Sequence, residues 1–593
     1  MPRLSWLTGP IFDKELRVSS RRRRNYVLRF AYLTFLALFV ILVWFATVTN
    51  SRSAAFGISR MSEAGKTIIA TIIWFQFITT QLIAIIMLST SISDEIYHRT
   101  LGVLMTTPVN SFQIVMGKLF SKLLQLILLL AISLPILAIV RVFGGVPWGF
   151  VISSLCINLS AVIFVGSLSL FFSINGRRSY AIILRTLLTL GVIYAFIPTI
   201  LGLLLHDVVA EYILFPILLY ANPFAALQFN TVTMMSPGMP MGIPFSLYWP
   251  VHCLIMLGAS VLLLSVAVRI VRKVALRQAV GELNPTSKRK RRFRKAQADG
   301  AEPDVEQQES TSPIREVKGS PVVWKELRAP FIQGGRKKGI IGLIIAIIAL
   351  LITYGACIKE DCLDDNDTHI VYTIIFVIMG LVSTAVLSAN TITSEKETRS
   401  WPILLATPLS DWNILLGKAV GVFRRCLPIW LFLAGHILLF VLIRFIHPIA
   451  VIHLTMLVAW CVVFLSGSGL YFSARFKRTT SAVVANLALV LALWLVTPML
   501  LGLISEIAHD QDLLELNISV NPVVQAGVIM EGAGGTRNAG KELSRLDYNW
   551  PQGCCWNKFG PTTIVLFFTM LGYMLLGFLF AWRAKCRFRR NIF

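Results

Sequence analysis

Charged residues suited to binding another protein recur in this sequence at an interval of 300 residues. Glu95 and Arg99 are four positions apart, and so are Glu395 and Arg399. A glutamate placed four residues before an arginine can form an ion pair on one face of a helix. Such a pair stabilises an exposed helix by roughly 0.2–0.5 kcal/mol, so it suits surface structure or recognition rather than catalysis. The spacing predicts two surface helices with charged faces.

The similarity covers the whole of segments 92–118 and 392–418, in which nine of 27 positions are identical. In both segments a threonine precedes a proline, and a threonine cap followed by proline is a common start of a helix. Each segment is therefore expected to fold as a helix, a turn and a short helix, with Thr107 and Thr407 as caps. The identical residues of the first copy are Ile92, Glu95, Arg99, Leu104, Thr107, Pro108, Ile114, Gly117 and Lys118.

Three other candidate sites are weaker. Residues 535–541 resemble the opening of a P-loop, but Glu542 stands where a serine or threonine must bind magnesium. The acidic segment 357–367 does not have the spacing of an EF-hand. His436 lies within an apolar stretch, where a neutral histidine bonded to a neighbouring helix is expected. No catalytic, cofactor-binding or metal-binding residue is predicted.

Composition places these segments in a membrane protein. Of the 593 residues, 56% are hydrophobic and 14% charged, against roughly 25% charged in soluble domains. Apolar stretches of about twenty residues, each long enough to cross a bilayer as a helix, recur without period-two alternation. We expect an all-α polytopic protein with about 12 transmembrane helices. The predicted spans are 27–49, 67–91, 120–141, 148–172, 181–205, 249–271, 339–356, 369–392, 424–446, 449–473, 480–505 and 562–582.

Charge distribution gives the expected orientation. The net charge is +25, and basic residues concentrate on the cytoplasmic side of membrane proteins. The N-terminal segment is arginine-rich and the C-terminal tail is basic, whereas loop 206–250 has no lysine or arginine. Both termini are therefore expected in the cytoplasm, in a multi-pass protein of the plasma (inner) membrane. The basic excess indicates contact with membrane lipid and no nucleic-acid partner.

The repeat divides the chain into three parts. Residues 1–272 and 320–593 are expected to be two six-span halves, and 273–319 is expected to be a disordered cytoplasmic linker. An even number of spans gives both halves one orientation, so the protein is two parallel six-helix repeats, an arrangement typical of transport. Segment 206–248 is too apolar for a free loop and is expected to re-enter the membrane. Segment 506–561 is more polar and is expected to form a small outer cap.

One spacing pattern resembles a known family. The second span of each half is followed by a spaced motif: a glutamate, a threonine or serine, a leucine, a proline and a Gly-Lys pair. This motif resembles that of the permeases of the ABC-2 transporter family. A Lys-Glu-Leu-Arg motif before each first span is similar to that family's interfacial helix. The motif residues are Glu95, Thr100, Leu104, Pro108, Gly117 and Lys118; Glu395, Ser400, Leu404, Pro408, Gly417 and Lys418; and, before the first spans, Lys14, Glu15, Arg17, Lys325, Glu326 and Arg328.

This resemblance implies a permease that hydrolyses no ATP itself. A separate cytoplasmic ABC ATPase, as a dimer, would use ATP and Mg while docked on inner loops 92–118 and 392–418. Family substrates range over lipids, polysaccharides, drugs and ions, and export is the commoner direction. The docking residues implied are Glu95, Arg99, Thr100, Leu104, Pro108, Glu395, Arg399, Ser400, Leu404 and Pro408.

Three alternatives compete with this reading. An ion-coupled secondary transporter would need carboxylates in mid-membrane, and every Asp and Glu lies at or beyond the end of a predicted span. A membrane-embedded enzyme would need acidic, histidine, serine or cysteine groups converging at one membrane face. A non-transporting scaffold would have the same composition, and only the two predicted docking loops argue against it.

Overall fold

The structure is a computed structural model, and it covers most of both halves. It describes residues 5–21, 23–48, 57–98, 100–104, 106–142, 145–176, 178–204, 215–236, 248–279, 317, 319–328, 336–359, 361–508, 511–551 and 557–589. Most of the predicted linker 273–319 lies outside the described residues, and so does Arg99.

The first half is built from helices that alternate in direction. Two short helices, α4 and α5, lie between the second and third long ones. The elements are α1 (Ser5–Ser20), α2 (Arg23–Val48), α3 (Gly57–Ser89), α4 (Ser93–Tyr97), α5 (Leu101–Leu104), α6 (Ser111–Val142), α7 (Trp148–Asn175), α8 (Ser179–Gly191), a π-helix (Val192–Phe196), α9 (Ile197–Leu204), α10 (Phe215–Ala221), α11 (Pro223–Met235) and α12 (Trp249–Ala279).

The second half repeats this order and adds a short helix and a turn before its last span. Its elements are α13 (Pro321–Arg328), α14 (Arg336–Lys359), α15 (Asn366–Ala389), α16 (Thr393–Glu397), α17 (Trp401–Leu405), α18 (Asp411–Leu442), α19 (Ile449–Arg475), α20 (Thr479–Leu491), a π-helix (Ala492–Val496), α21 (Thr497–Ala508), α22 (Asp512–Ser519), α23 (Pro522–Ala533), α24 (Thr536–Ala539), a 3-10 turn (Leu543–Arg545) and α25 (Phe559–Arg587).

The predicted all-helical membrane architecture is confirmed. Among the described residues, 11 helices are long and apolar enough to span a membrane, or 12 if the bent pair α22–α23 counts as one span. Helix α2, the first predicted span, contributes a shorter apolar stretch, Arg29–Phe45. All twelve predicted spans fall on helices of the structure.

Alternating helix directions bring the repeated segments to one end of the bundle, which we call the basic end. It holds α1, α4, α5, α13, α16, α17 and the C-terminal turn of α25 with Lys585 and Arg587. The other end carries segment 361–365 and helices α22–α24. The halves meet where α8 packs against α15 and α20, where α2 packs against α21, and where α9 packs against α14.

A break before the last span occurs in both halves at an Asn-Pro pair. Asn222 caps α11 and its side-chain amide donates to the carbonyl of Tyr194 at 2.8 Å. Asn521 caps α23 and donates likewise to Trp494 at 2.8 Å. Both acceptors lie in the π-helices, where the altered hydrogen-bond pattern frees a carbonyl. The pair α22–α23 is bent by 78°, so the second half has a broken span or a re-entrant loop where only a cap was expected, and the re-entry expected of segment 206–248 stays a prediction.

A small cap does accompany that turn in the second half. Leu546, Tyr548 and Trp550 pack on Val528 of α23 in a separate apolar cluster. The indole of Trp550 donates to the hydroxyl of Thr562 at 3.1 Å and so fixes the cap to α25.

Helices α19 and α25 approach each other more closely than side chains would allow. Gly467 faces Gly577. A Cβ atom added at Gly467 would overlap the backbone of Gly577 and would lie 3.0 Å from the Cα of Gly577. Small residues at such crossings let helix backbones pack directly in membranes, where association depends on van der Waals contact.

Candidate functional site

The repeated segments form two short helices joined by a tight turn in each half, as predicted. A serine on the fourth long helix fixes the start of each one. The hydroxyl of Ser473 accepts from the amides of Ile392 and Thr393 at 2.8 and 2.9 Å. Ser173 accepts from Ile92 and Ser93 at 3.1 and 2.9 Å. This serine therefore positions each repeated segment against the bundle; we call 92–118 and 392–418 the docking segments, after the role that the sequence predicts for them.

The glutamate that the two segments share points into the protein. Lys418 lies 2.8 Å from Glu395, and Lys118 lies 3.1 Å from Glu95. Lys118 also donates to the carbonyl of Ser91. Thus each segment is tied by an ion pair to the N-terminal part of the following span, α6 or α18.

The predicted pairing of Glu395 with Arg399 is wrong. Helix α16 ends at Glu397, and Arg399 adopts a left-handed backbone with φ of 56°, which turns its exposed side chain away from the helix face. Because the helix stops, the four-residue spacing no longer places both side chains on one face. The equivalent pair in the first half cannot be compared, since Arg99 lies outside the described residues.

Thr100 and Ser400 hold these glutamates from the other side. The hydroxyl of each donates to the carboxylate five residues earlier, Thr100 to Glu95 and Ser400 to Glu395. This hydrogen bond explains why the motif has a threonine or serine five residues after the glutamate.

The predicted threonine caps are also wrong. Thr107 and Thr407 donate back to the carbonyls of Leu104 and Leu404, closing the short helices that precede them. Helix α18 begins at Asp411, four residues after Thr407, and its cap is Ser410, whose hydroxyl accepts from the amide of Asn413 at 3.3 Å. Pro108 and Pro408 lie exposed in the connecting turns rather than at the first position of a helix.

Pro402 lies in the first turn of α17. Proline is favoured there because its missing amide hydrogen has no partner in a helix start. The neighbouring Trp401 is buried and stacks edge-on against Phe588, with ring centroids 4.7 Å apart. The C-terminal end of α25 therefore supports the second docking segment.

The interfacial motif of the second half joins the same network. Glu326 on α13 is 5% exposed and accepts from Lys418 at 2.7 Å and from Arg425 at 2.6 Å. Arg424 donates to the backbone carbonyl of Glu326 at 2.7 Å. The exposed Lys325 reaches Glu395 at 3.1 Å. The buried ammonium of Lys418, which binds both Glu326 and Glu395, thus joins α13, α16 and α18.

The first half makes a related but different contact. Glu15 on α1 pairs with Lys122 on α6 at 3.5 Å, and the two side chains are 25% and 17% exposed. Lys14 and Arg17 are exposed on α1. Arg328, the counterpart of Arg17, is exposed and lies over the ring of Trp324 at 4.2 Å.

Sequence reasoning missed Lys122, Arg424 and Arg425. At the repeat offset the other half has Val422, Leu124 and Gln125 at these positions, so identity between the halves gives no signal there. Basic residues one or two turns after the repeated Gly-Lys pair were the available clue.

The outward surface of each docking segment is apolar at one equivalent position. Val103 on α5 is 67% exposed and Ile403 on α17 is 72% exposed. Leu104 and Leu404 beside them are half-buried. A protruding aliphatic side chain on a rigidly held short helix is suited to a pocket on another protein.

Two cavities open between the halves at the basic end. One has a volume of about 640 Å³ and the other about 260 Å³. In the wall of the larger cavity the hydroxyl of Tyr97 donates to the carbonyl of Glu397 at 2.9 Å, and these two residues occupy equivalent positions of the repeat. The contact marks the place where the two docking segments meet.

Acid is expected to weaken the second docking segment through Glu395. Burial raises the pKa of this carboxyl, but the Lys418 ammonium and hydrogen bonds from Lys418, Ser400 and Lys325 outweigh it and lower the pKa to about 2. Since the folded-state pKa lies below the ordinary value of 4.5, the stabilisation is complete above that value and is lost as the pH falls towards 2. Thermal unfolding in detergent between pH 7 and 3 should therefore show a smaller loss of stability in Glu395→Gln than in the unmutated protein. Parallel pH profiles would contradict this assignment.

His436 has the surroundings expected of it. Its Nδ1 lies 2.6 Å from the hydroxyl of Tyr354 on α14, so the predicted bond to a neighbouring helix is confirmed. At the repeat offset the first half has Ile136 in this position, so the histidine belongs to the second half only.

Comparison with known proteins gives one match. The family model described as ABC-2 family transporter protein matches residues 285–590, which include the whole second half from α13 to α25. No curated protein and no solved structure matches the chain.

Proposed function

Because the chain belongs to the ABC-2 family of transporter proteins, we propose that it is the whole membrane part of an ATP-driven exporter whose ATPase subunits dock at the basic end. Membership makes it an integral multi-pass membrane protein and a permease component of an ABC transporter. The proposal adds the fused pair of permease halves, the docking surface and the direction of transport.

One observation carries the docking assignment. Two equivalent short helices at the same end of the bundle each present an exposed aliphatic residue, Val103 or Ile403, while a partly buried glutamate ties the segment to the following span by an ion pair. Two like elements side by side suit a dimeric ATPase, with one element for each of its subunits. The basic charge of this end supports a cytoplasmic location.

The ion pairs offer a path for mechanical coupling. When ATP binding draws the two ATPase subunits together, the docking segments would move with them. Through Lys118 and Lys418 this displacement reaches α6 and α18, and through Glu326 it reaches α13. The halves touch at Tyr97 and Glu397, so their separation at the basic end would change as the segments move. ATP and Mg act in the partner and need no site in this chain.

Charge placed on the apolar tips is expected to abolish ATPase docking. In Val103→Glu combined with Ile403→Glu, a carboxylate would have to be desolvated in an apolar pocket of the partner. Pull-down from the native membrane should recover ATPase activity with the unmutated chain and at least tenfold less with the double variant. Leu543→Glu is the matched control, because Leu543 is 41% exposed but lies at the other end of the bundle.

Two outcomes would contradict the proposal. If no ATPase accompanies the folded, unmutated chain, an autonomous transporter or a scaffold is the better reading. If the ATPase accompanies the double variant as well as the control, docking takes place elsewhere on the chain.

A further inference from the structure

The two cavities at the basic end are related by the internal repeat but differ in size. Glu15 and Gln125 line the cavity of about 640 Å³, and their counterparts Glu326 and Arg425 line the cavity of about 260 Å³. The larger cavity lies between α1 of the first half and Arg478 of the second half. The smaller cavity lies between α13 of the second half and Arg178 of the first half. A symmetric pair of permease subunits would have two equal cavities, so this chain differs from such a pair.

Polar contacts of the interfacial helices explain the difference. On the small side, Lys418 and Arg425 both bind the buried carboxylate of Glu326, and Arg424 binds its carbonyl. On the large side, Glu15 faces Lys122 at 3.5 Å in a partly exposed position, and Leu124 and Gln125 replace the two arginines. A buried carboxylate bound by two cations is strongly destabilised when a partner leaves, whereas a partly exposed ion pair can exchange with water at little cost.

The larger cavity has an apolar side and a charged side. Ile83, Ile86 and Met87 of α3 face it together with Val484 of α20. The charged side contains both signs, and its residues are Glu15, Asp94, Lys122, Arg178, Glu397 and Arg478. A volume of this size lies within the roughly 300–1,000 Å³ typical of small-molecule sites. The smaller cavity is lined by polar and charged residues throughout.

Position favours a ligand that comes from the membrane. The cavity is bounded by α1, whose Lys-Glu-Leu-Arg motif and exposed Val18 suit a helix lying at the lipid headgroup level. A headgroup could contact the charged side there while apolar chains lie against α3 and α20.

We propose that the two halves are not equivalent: a lipid-like amphipath with a charged headgroup enters through the larger cavity, and separation of Glu15 from Lys122 opens it. Helix α1 is the movable wall, and α13 stays fixed on α18. The inference rests on the proposed function, because it names the substrate class and entrance of that transporter.

Placing the counterparts of Arg424 and Arg425 in the first half tests whether α1 has to move. Leu124→Arg with Gln125→Arg gives Glu15 the partners that Glu326 has. Proteoliposomes of phosphatidylcholine with a fluorescent phosphatidylethanolamine as probe should show at least tenfold slower ATP-dependent lipid movement, while the ATPase still co-purifies. Adding Glu15→Gln to this pair removes the bound carboxylate and should restore the rate to within about threefold of the unmutated chain. Equal rates in the double variant and the unmutated chain would overturn the proposal.

Spin-label distances test the asymmetry directly and do not depend on knowing the substrate. Val18→Cys with Phe112→Cys reports the distance between α1 and α6, and Leu327→Cys with Leu416→Cys reports that between α13 and α18, with accessible native cysteines replaced. Adding ATP with vanadate to the complex should change the first distance and leave the second unchanged. Equal changes, or none, would overturn this inference but leave the proposed function intact, because that function is tested separately by ATPase pull-down.

A photo-crosslinker tests the substrate class. Met87→benzoylphenylalanine should capture labelled phospholipid from vesicles at least fivefold more than the same residue at the buried position Ile437. Capture no greater than at Ile437 would exclude a lipid-like ligand.

Discussion

Replacing Lys418 by methionine is expected to destabilise the protein by about 3–5 kcal/mol, the usual cost of removing one partner from a buried ion pair. The ammonium group of Lys418 is the shared partner of Glu326 and Glu395, at 2.7 and 2.8 Å, and its side chain is 4% exposed. Its loss leaves Glu395 with the exposed Lys325 and Glu326 with Arg425. Thermal unfolding in detergent measures the effect as a lower midpoint and as early loss of the folded, monodisperse peak.

Lys325→Met is the matched control for this variant. Lys325 binds the same Glu395 at 3.1 Å, but its side chain is 62% exposed, so its loss should cost less than about 1 kcal/mol. If the two variants unfold at the same temperature, the buried network does not hold α13 to α18, and the path proposed for mechanical coupling loses its basis.

Adding a methyl group at Gly467 is expected to separate two transmembrane helices. The Cβ of Gly467→Ala would overlap the backbone of Gly577, which no change of rotamer can relieve, so α19 and α25 must move apart. Overpacking of this kind typically costs ~1–3 kcal/mol, and contact with backbone places this case at the upper end. The expected result is a clear fall in thermal stability in detergent.

Gly572→Ala on α25, the other helix of this contact, separates the effect from helix propensity. No atom lies within 4 Å of a Cβ built at Gly572, and alanine is the better helix former by roughly 1 kcal/mol. This variant should be as stable as the unmutated protein or slightly more stable. A loss equal to that of Gly467→Ala would mean that the close helix contact does not limit packing.

The long helices could be predicted because membrane spans depend on local composition. The predicted span 424–446 is mostly apolar after its first two residues, and α18 (Asp411–Leu442) contains all of it up to Leu442. The short helices α16 and α17 were predicted from the repeat and the turn residues between them. Helix ends were less accurate. Helix α18 begins at Asp411 in polar turns that follow the docking segment, and such turns are not part of an apolar stretch.

The partner of Glu395 could not be predicted from spacing. The four-residue rule assumes that the helix continues to Arg399, whereas the chain turns after Glu397 and brings Lys418, 23 residues later, to the carboxylate. Lys418 belongs to the recognised motif, but only the packing of α18 against α16 shows what it binds. Ser173 and Ser473 were visible as repeated residues, and their role depends on contacts 80 residues away along the chain.

Joining both halves in one polypeptide has a consequence for assembly. If the halves were separate subunits, one with Arg424 and Arg425 and the other with Leu124 and Gln125 at these positions, each could also pair with a copy of itself. A covalent connection raises the effective concentration of the unlike half and makes every complex one of each kind. The single chain thereby fixes the stoichiometry, so every assembled complex contains one half with the two arginines and one half without them.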